Sequence, residues 1–240
     1  MSYRFFGTLI NDTLTLDKDD VFHLTKVLRI QKSEELEIVV GDKLYRASVA
    51  SFTPFSLELK EVLALSMETL PVITLYYSLP KGDKLELVLQ KSVELGVHTI
   101  VLMETARSVT KIKENKVNAK KERYQKIVKS AAMQSKRNYI PKVLGPLSFN
   151  EALKDDFALK LIAHEKATLP FAKVLSTLKE TPKDLSIMVG PEGGFSEEEV
   201  KKAIASGYYS ISFGPTILRS ETAPLYALSV INYYKEGLKL

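Results

Sequence analysis

A chain of 240 residues with no cysteine has the length for one large domain or two small ones, and it excludes disulfides, a thiolate nucleophile and Cys-ligated zinc. Its net charge of +5 is unevenly placed: residues 107–142 carry 12 Lys/Arg against 2 Asp/Glu, whereas residues 1–70 carry 8 against 11. Such a concentration is the footprint expected for a polyanion, most simply nucleic acid, with a merely solvated helix face as the alternative.

No run approaches 18 uninterrupted apolar residues, and MSYRFFGTLI lacks a basic start followed by an apolar stretch. A cytoplasmic protein without signal peptide or membrane span is therefore expected. The three histidines, at 23, 98 and 164, show no ligand spacing, so no metal is expected.

Residues 1–70 read as a small barrel-like β domain. Arg4 to Ile10, Glu35 to Val40, Leu44 to Phe52 and Ser56 to Val62 alternate or are rich in β-formers. Gly41-Asp42 and Thr53-Pro54 break them. Asp19 to Arg29, apolar at 21, 24, 27 and 28, predicts a short amphipathic helix. Pro71 marks the boundary, and from Val72 strands and helices alternate. Ile73 to Tyr77 is a strand; Asp83 and Glu86 form a capping box for a helix that Gly96 stops. Thr99 to Met103 is the next strand. The basic segment then forms a helix from Val117 to Ser135, with Val117, Tyr124, Ile127, Val128, Ala131 and Ala132 on one face. Lys160 to Ala163 reads as a strand and Leu169 to Leu178 as a helix.

The C-terminal stretch from Ile187 to Ala223 organises the rest. An apolar run ending at Val189 has the length of a buried strand, and Gly190, Pro191, Glu192, Gly193 and Gly194 break it. Ser196 with Glu199 is a capping box, and Gly207 stops that helix. A second strand, Tyr209 to Phe213, ends in Gly214 and Pro215, and a last helix runs from Thr222 to Lys235 with Pro224 in its first turn. Two strands ending in glycine-bearing loops would bring those loops side by side at the carboxyl edge of a parallel sheet, where open α/β sheets bind ligands. The spacing is neither a Walker loop nor a dinucleotide fingerprint. A backbone-lined pocket of this kind suits an adenosine-type ligand better than a triphosphate.

GPEGGFS at 190–196, FGPTILRSETA at 213–223 and QSKRN at 134–138 together resemble the bacterial 16S ribosomal RNA uridine N3-methyltransferases of the SPOUT superfamily. HLTKVLR at 23–29 is similar to that family's N-terminal PUA-like domain, and ARSVTK at 106–111 and YQKIVKSAAMQSKRN at 124–138 also match. The resemblance implies a PUA-like β-barrel RNA-binding domain over 1–70 and an α/β SPOUT trefoil-knot methyltransferase domain over 71–240. It implies a homodimer, here through the last helix, whose Leu225, Tyr226, Leu228, Val230 and Ile231 exceed one face. It also implies S-adenosylmethionine as cofactor, at Gly190, Glu192, Gly193, Gly194, Phe213, Gly214, Ile217, Leu218, Arg219, Thr222 and Ala223. Met133 and Lys136 depart from the family pattern, which has Glu and Gly at those places; Ser220 and Pro224 stand where Thr and Ala are usual.

The implied reaction is methylation of N3 of one uridine in the decoding region of 16S ribosomal RNA, on the assembled small subunit. Direct attack by N3 needs no protein nucleophile. Arg219 is the candidate donor to a carbonyl oxygen gaining charge, with a structural salt bridge as the alternative. Glu221 is the candidate proton acceptor, or else a carboxylate favouring the positive end of the last helix. Arg4, Arg29, Arg107, Lys126, Lys129, Lys136, Arg137 and Asn138 are the candidate RNA contacts. A non-catalytic RNA-binding or ribosome-assembly factor, or a SPOUT methylase of another RNA, is the rival reading; the intact GPEGG and ILRSETA blocks favour a working site.

Overall fold

The computed structural model describes residues 3–11, 13–65 and 71–237. The chain divides into two units, Met1–Glu68 with Ala132–Tyr139, and Thr69–Ala131 with Ile140–Leu240. The junction expected after residue 70 borders residues 66–70, which lie outside the described residues. Residues 132–139, assigned by sequence to the second domain, group with the first.

In the first unit β1 (Tyr3–Phe6) pairs in parallel with β4 (Glu35–Val40), and β5 (Lys43–Phe52) and β6 (Phe55–Ala64) continue the sheet antiparallel. β2 (Thr8–Ile10) and β3 (Thr13–Thr15) form a hairpin. The single strand expected from Arg4 to Ile10 therefore breaks at Gly7. A Cβ there would lie 2.6 Å from the Thr15 carbonyl and 2.8 Å from Ile38 Cγ2, so only glycine lets the chain turn this close to its neighbours. The helix expected over Asp19 to Arg29 is α1 (Lys18–Phe22), capped by Asp17, followed by a wider turn over His23–Val27. Arg29 ends it with φ +54°. Phe5, Leu24, Leu36, Ile38, Tyr45 and Val49 fill this unit's core, and Met133 packs against it.

The second unit is built on a seven-stranded sheet in the order β11-β13-β10-β12-β7-β8-β9. These are β7 (Val72–Ser78), β8 (Thr99–Glu104), β9 (Lys142–Ser148), β10 (Leu159–Ala163), β11 (Leu169–Pro170), β12 (Asp184–Val189) and β13 (Tyr209–Ser212). Every pairing is parallel, so the carboxyl ends share one edge. Central β7 and β12 are buried nearly throughout, which is why they read as unbroken apolar runs rather than alternating ones. The helices are α2 (Lys84–Glu94), α3 (Val117–Gln134), α4 (Phe149–Ala152), α5 (Phe171–Ser176), α6 (Glu197–Ala205) and α7 (Thr222–Gly237). Beneath α4 and α6, Tyr76, Met103, Phe149, Met188, Phe195 and Val200 make one core. Phe195 directly follows the first glycine loop and is buried; truncating it to alanine would cost about 3–5 kcal/mol.

The capping box at Ser196 and Glu199 is present in full, and Gly207 ends α6 with φ +86°. The box expected at Asp83 is not: the Asp83 side chain makes no cap bond, and Glu86 pairs with Arg123 of α3 instead. α4, missed by sequence, opens on a full capping box at Ser148 and Glu151, whereas β9 carries no clear sequence signal because Gly145-Pro146 interrupts the strand. Proline is tolerated there because β9 is an edge strand. Gly145 has φ +89°, and a Cβ on it would strike the Leu102 carbonyl. The helix expected from Leu169 begins as the two-residue edge strand β11 and continues as α5. Among the described residues no helix is long and apolar enough to cross a membrane.

Candidate functional site

The parallel register brings the segments following β10, β12 and β13 together with the start of α2, and a cavity of about 530 Å³ opens among them. That volume is ordinary for a small-molecule site. Its lining includes Gly190, Glu192, Gly193 and Gly194 from the first glycine loop. Phe213, Gly214, Ile217, Leu218, Arg219 and Ala223 come from the second. Of the expected cofactor residues, Thr222 alone is not in the lining.

The loops are shaped for a ligand that meets backbone. The Gly194 N–H donates to the Pro191 carbonyl at 2.8 Å, closing the turn. A Cβ on Gly190 would sit 3.1 Å from the Gly194 carbonyl carbon and 3.2 Å from the Phe195 nitrogen, forcing the turn open. Gly194 and Gly214 have φ of +64° and +113°, where a side chain is strained. Across the cavity stand Ala163, His164 and Glu165 from the end of β10. They carry no motif, and only the strand order could have pointed to them.

Lys84 also lines the cavity and was missed by sequence, being one of many lysines. Its Nζ lies 3.0 Å from Glu221 Oε2 and 3.6 Å from Glu192 Oε1. Burial works to raise the Glu192 carboxyl, but hydrogen bonds from its own and the Lys81 backbone and the charge of Lys84 outweigh it, and the group is held below its ordinary value. Glu221 is held low by its own backbone N–H and then by Lys84. A general base works best with a pKa near the working pH. Glu221 is paired with Lys84 and lies outside the lining. Arg219 is in the lining.

Arg107 is exposed, and its Nη1 donates to the Gly193 carbonyl at 2.7 Å. The Ala106 N–H donates to Glu199 Oε1 at 2.7 Å. The loop after β8 is thereby fastened to the first glycine loop and to the start of α6.

The other expected RNA contacts divide. Arg29 is exposed on the first unit, and Lys126 and Lys129 lie on α3. Arg4 is only 10% exposed in its side chain. Its Nε and Nη2 donate to Glu37 Oε2 at 2.9 and 2.8 Å, and its Nη1 donates to the Lys136 carbonyl at 2.6 Å and to Asn138 Oδ1 at 2.7 Å. Lys136 Nζ takes the other Glu37 oxygen at 3.1 Å. Arg137 is buried, bonded to the Tyr139 hydroxyl, and its guanidinium carbon lies 4.7 Å from that ring's centre. Arg4, Arg137 and Asn138 thus have partners inside the first unit, and Arg4 holds several because a planar guanidinium satisfies more than one oxygen at once.

The same segment explains both departures from the family pattern. The Arg137 N–H reaches the Ala132 carbonyl and the Lys136 N–H the Met133 carbonyl, a Schellman ending of α3 whose left-handed position, φ +54°, falls on Lys136. Glycine would be relaxed there; this chain has a lysine that reaches Glu37. Met133 packs on the first unit's core.

Residues 67–232 match the family model for an RNA methyltransferase domain, and residues 16–61 that for an RNA methyltransferase PUA domain. The chain is 35% identical to the ribosomal RNA small subunit methyltransferase E of Bacillus subtilis over 95% of this chain and 92% of that protein. It is 32% identical to the protein of that name from Synechocystis, over 99% and 79%. Among solved structures it is similar to ribosomal RNA small subunit methyltransferase E from Neisseria gonorrhoeae bound to S-adenosyl methionine, with TM-score 0.84, 30% identity and coverage of 97% and 98%. A methyltransferase from Legionella pneumophila in complex with the cofactor SAM gives TM-score 0.87, 30% identity and the same coverage. With both domains matched in order and relatives above 30% identity aligned almost end to end, the chain belongs to the ribosomal RNA small subunit methyltransferase E family.

Proposed function

We propose that the protein transfers a methyl group from S-adenosylmethionine to small-subunit ribosomal RNA, at N3 of a uridine in the decoding region. The observation that carries the reading is the cavity itself. It is walled by the GPEGG backbone and the FGPTILRS segment with Arg219 in its lining, in a chain whose fold matches two proteins solved with that cofactor. When bound, the cofactor supplies an electrophilic methyl group on a sulfonium.

The protein's own part is to hold the acceptor in line and stabilise what the acceptor becomes. Holding two reactants in a near-attack geometry accounts for much of such a rate gain. Loss of the N3 proton to solvent water spreads negative charge onto the flanking carbonyl oxygens. The Arg219 guanidinium, in the segment between the second glycine loop and α7, is the donor for that charge. Arg107, exposed and anchored on Gly193, and the basic face of α3 are the phosphate contacts at this domain. The trefoil threading of residues 71–240, the cytoplasmic setting and the homodimer belong to the same proposal. On α7, Leu228 and Ile231 are buried, while Tyr226 and Tyr233, seven residues apart and so on one face, are exposed, Tyr233 by 75%. That face is the one for a second copy, and sedimentation at micromolar concentration reads it.

The test is methyl transfer from labelled S-adenosylmethionine to free small-subunit RNA and to assembled small subunits, followed by nucleoside mass spectrometry. The expected product is 3-methyluridine. A methyl group on another atom removes the N3 assignment and keeps the enzyme; no transfer to either substrate removes the enzyme.

A further inference from the structure

At the cavity wall three stretches of chain meet in one polar cluster. Lys81, following β7, donates its N–H to Glu192 Oε1 at 3.1 Å. Lys84, in the first turn of α2, reaches Glu221 and Glu192 at 3.0 and 3.6 Å. Ser220, after β13, has its hydroxyl 3.4 Å from Glu192 Oε1 and 3.3 Å from Glu221 Oε2. Glu192 belongs to the first glycine loop and Ser220 to the second, and both line the cavity.

The cluster has an imbalance that one residue corrects. Two carboxylates converge on a single hydroxyl, which has one hydrogen to give. Left to Ser220, one carboxylate would face the other across an oxygen lone pair. Two like charges at such range cannot both stay ionised at little cost. Burial, with both carboxylates adding to it, pushes the Tyr77 phenol up against the opposing pull of the neighbouring Ser220 hydroxyl; it relieves nothing by ionising. Backbone N–H groups already favour both ionised carboxylates, and Lys84 adds a positive charge that faces the two together. Its own value is raised, chiefly by the hydrogen bond to Glu221, and both carboxyls are lowered.

We propose that Lys84 is a positioning residue for the cofactor: by neutralising Glu192 and Glu221 together it holds the two glycine loops closed, and without it the loops part by carboxylate repulsion. This rests on the reading of the cavity as the S-adenosylmethionine site. The side chain acts on the walls and is not placed in the chemistry.

The reading fixes a pH signature that a packing role lacks. In Lys84→Met one carboxylate of the pair takes a raised pKa. A folded-state value above the unfolded one gives stability that is present at low pH and lost as pH rises through it. The variant should therefore approach the wild type near pH 4 and fall behind it as the pH rises towards 8. Each unit of upward shift is worth about tenfold in affinity once the pH is above the raised value. The other groups at the cavity, Arg219, His164 and Glu165, are present in every variant, so the ratio of variant to wild type at each pH cancels their titration.

Calorimetry with S-adenosylmethionine from pH 4 to 8 reads this on wild type, Lys84→Met, Lys84→Arg and the double variant Lys84→Met with Glu221→Gln. Melting temperatures are taken across the same range without ligand. The expected result is a Lys84→Met to wild-type Kd ratio of about ten at pH 8 that shrinks to about three or less at pH 4, with the melting-temperature gap shrinking in parallel. Lys84→Arg should track the wild type, and the double variant should show a ratio that no longer depends on pH. A Lys84→Met ratio that is constant with pH, or a double variant as pH-dependent as the single one, overturns the proposal. If the wild type binds no S-adenosylmethionine, the functional reading fails, while the melting curves still decide whether Lys84 holds the loops.

Discussion

Arg4 separates two roles that the sequence alone leaves merged: a contact for RNA, and a clamp inside the first unit. Arg4→Ala removes four donor contacts, two to Glu37 and one each to the Lys136 carbonyl and Asn138. Breaking a buried ion pair by deleting one partner costs about 3–5 kcal/mol. The site is not fully buried, with 10% of the Arg4 and 17% of the Glu37 side chain exposed, and Glu37 keeps Lys136 at 3.1 Å. Water and the remaining lysine thus recover part, leaving a loss of about 2–4 kcal/mol. For a protein of this size that is a fall in melting temperature of roughly 4–16 °C. Arg4→Lys should recover less than half, since an ammonium cannot reproduce the planar fork. Thermal denaturation and RNA binding against salt, on the same variants, read both roles. A clamp predicts a large melting shift and an unchanged salt slope. A melting temperature within 1–2 °C of wild type, with the log–log salt slope lowered by about 0.7–0.9, would refute the clamp and return Arg4 to the RNA.

Two further outcomes are expected. Lys136→Gly should be about 1 kcal/mol more stable than Lys136→Ala, because both lose the ion pair to Glu37 and only alanine keeps the left-handed penalty; denaturant midpoints measure it, and equal midpoints would mean that φ +54° costs nothing. Arg219→Ala should lower kcat by about 10²–10³ while changing S-adenosylmethionine affinity by less than about threefold, with Arg219→Lys a poor rescue; joint loss of affinity and melting temperature would make Arg219 a clamp.

What could be read from the chain in advance was whatever acts within a few residues. The Ser196 to Glu199 box, Gly207 as a stop and the breaks after Val189 and before Pro215 depend on neighbours in sequence, and the structure has them. β9 was hidden because Gly145-Pro146 looks like a stop, and only its place at the sheet's edge makes that pair tolerable. Among the site residues, glycine loops announced themselves because missing side chains are a visible pattern, whereas Lys84 and Glu165 belong to abundant residue types and gave no signal.

The sequence by itself determined the two-domain grammar, the glycine loops that wall the cavity and the basic bias of residues 107–142. Only the tertiary structure decided which charges are free to meet a ligand. Arg4 bonds to residues 132 and 134 positions away, and the Lys84 ammonium meets Glu192 and Glu221 from the far side of the sequence. Charge is a property of a residue, but its partner is a property of the fold. A lysine or arginine therefore reads the same along the chain whether it faces RNA or spends its hydrogen bonds holding two strands of the protein together.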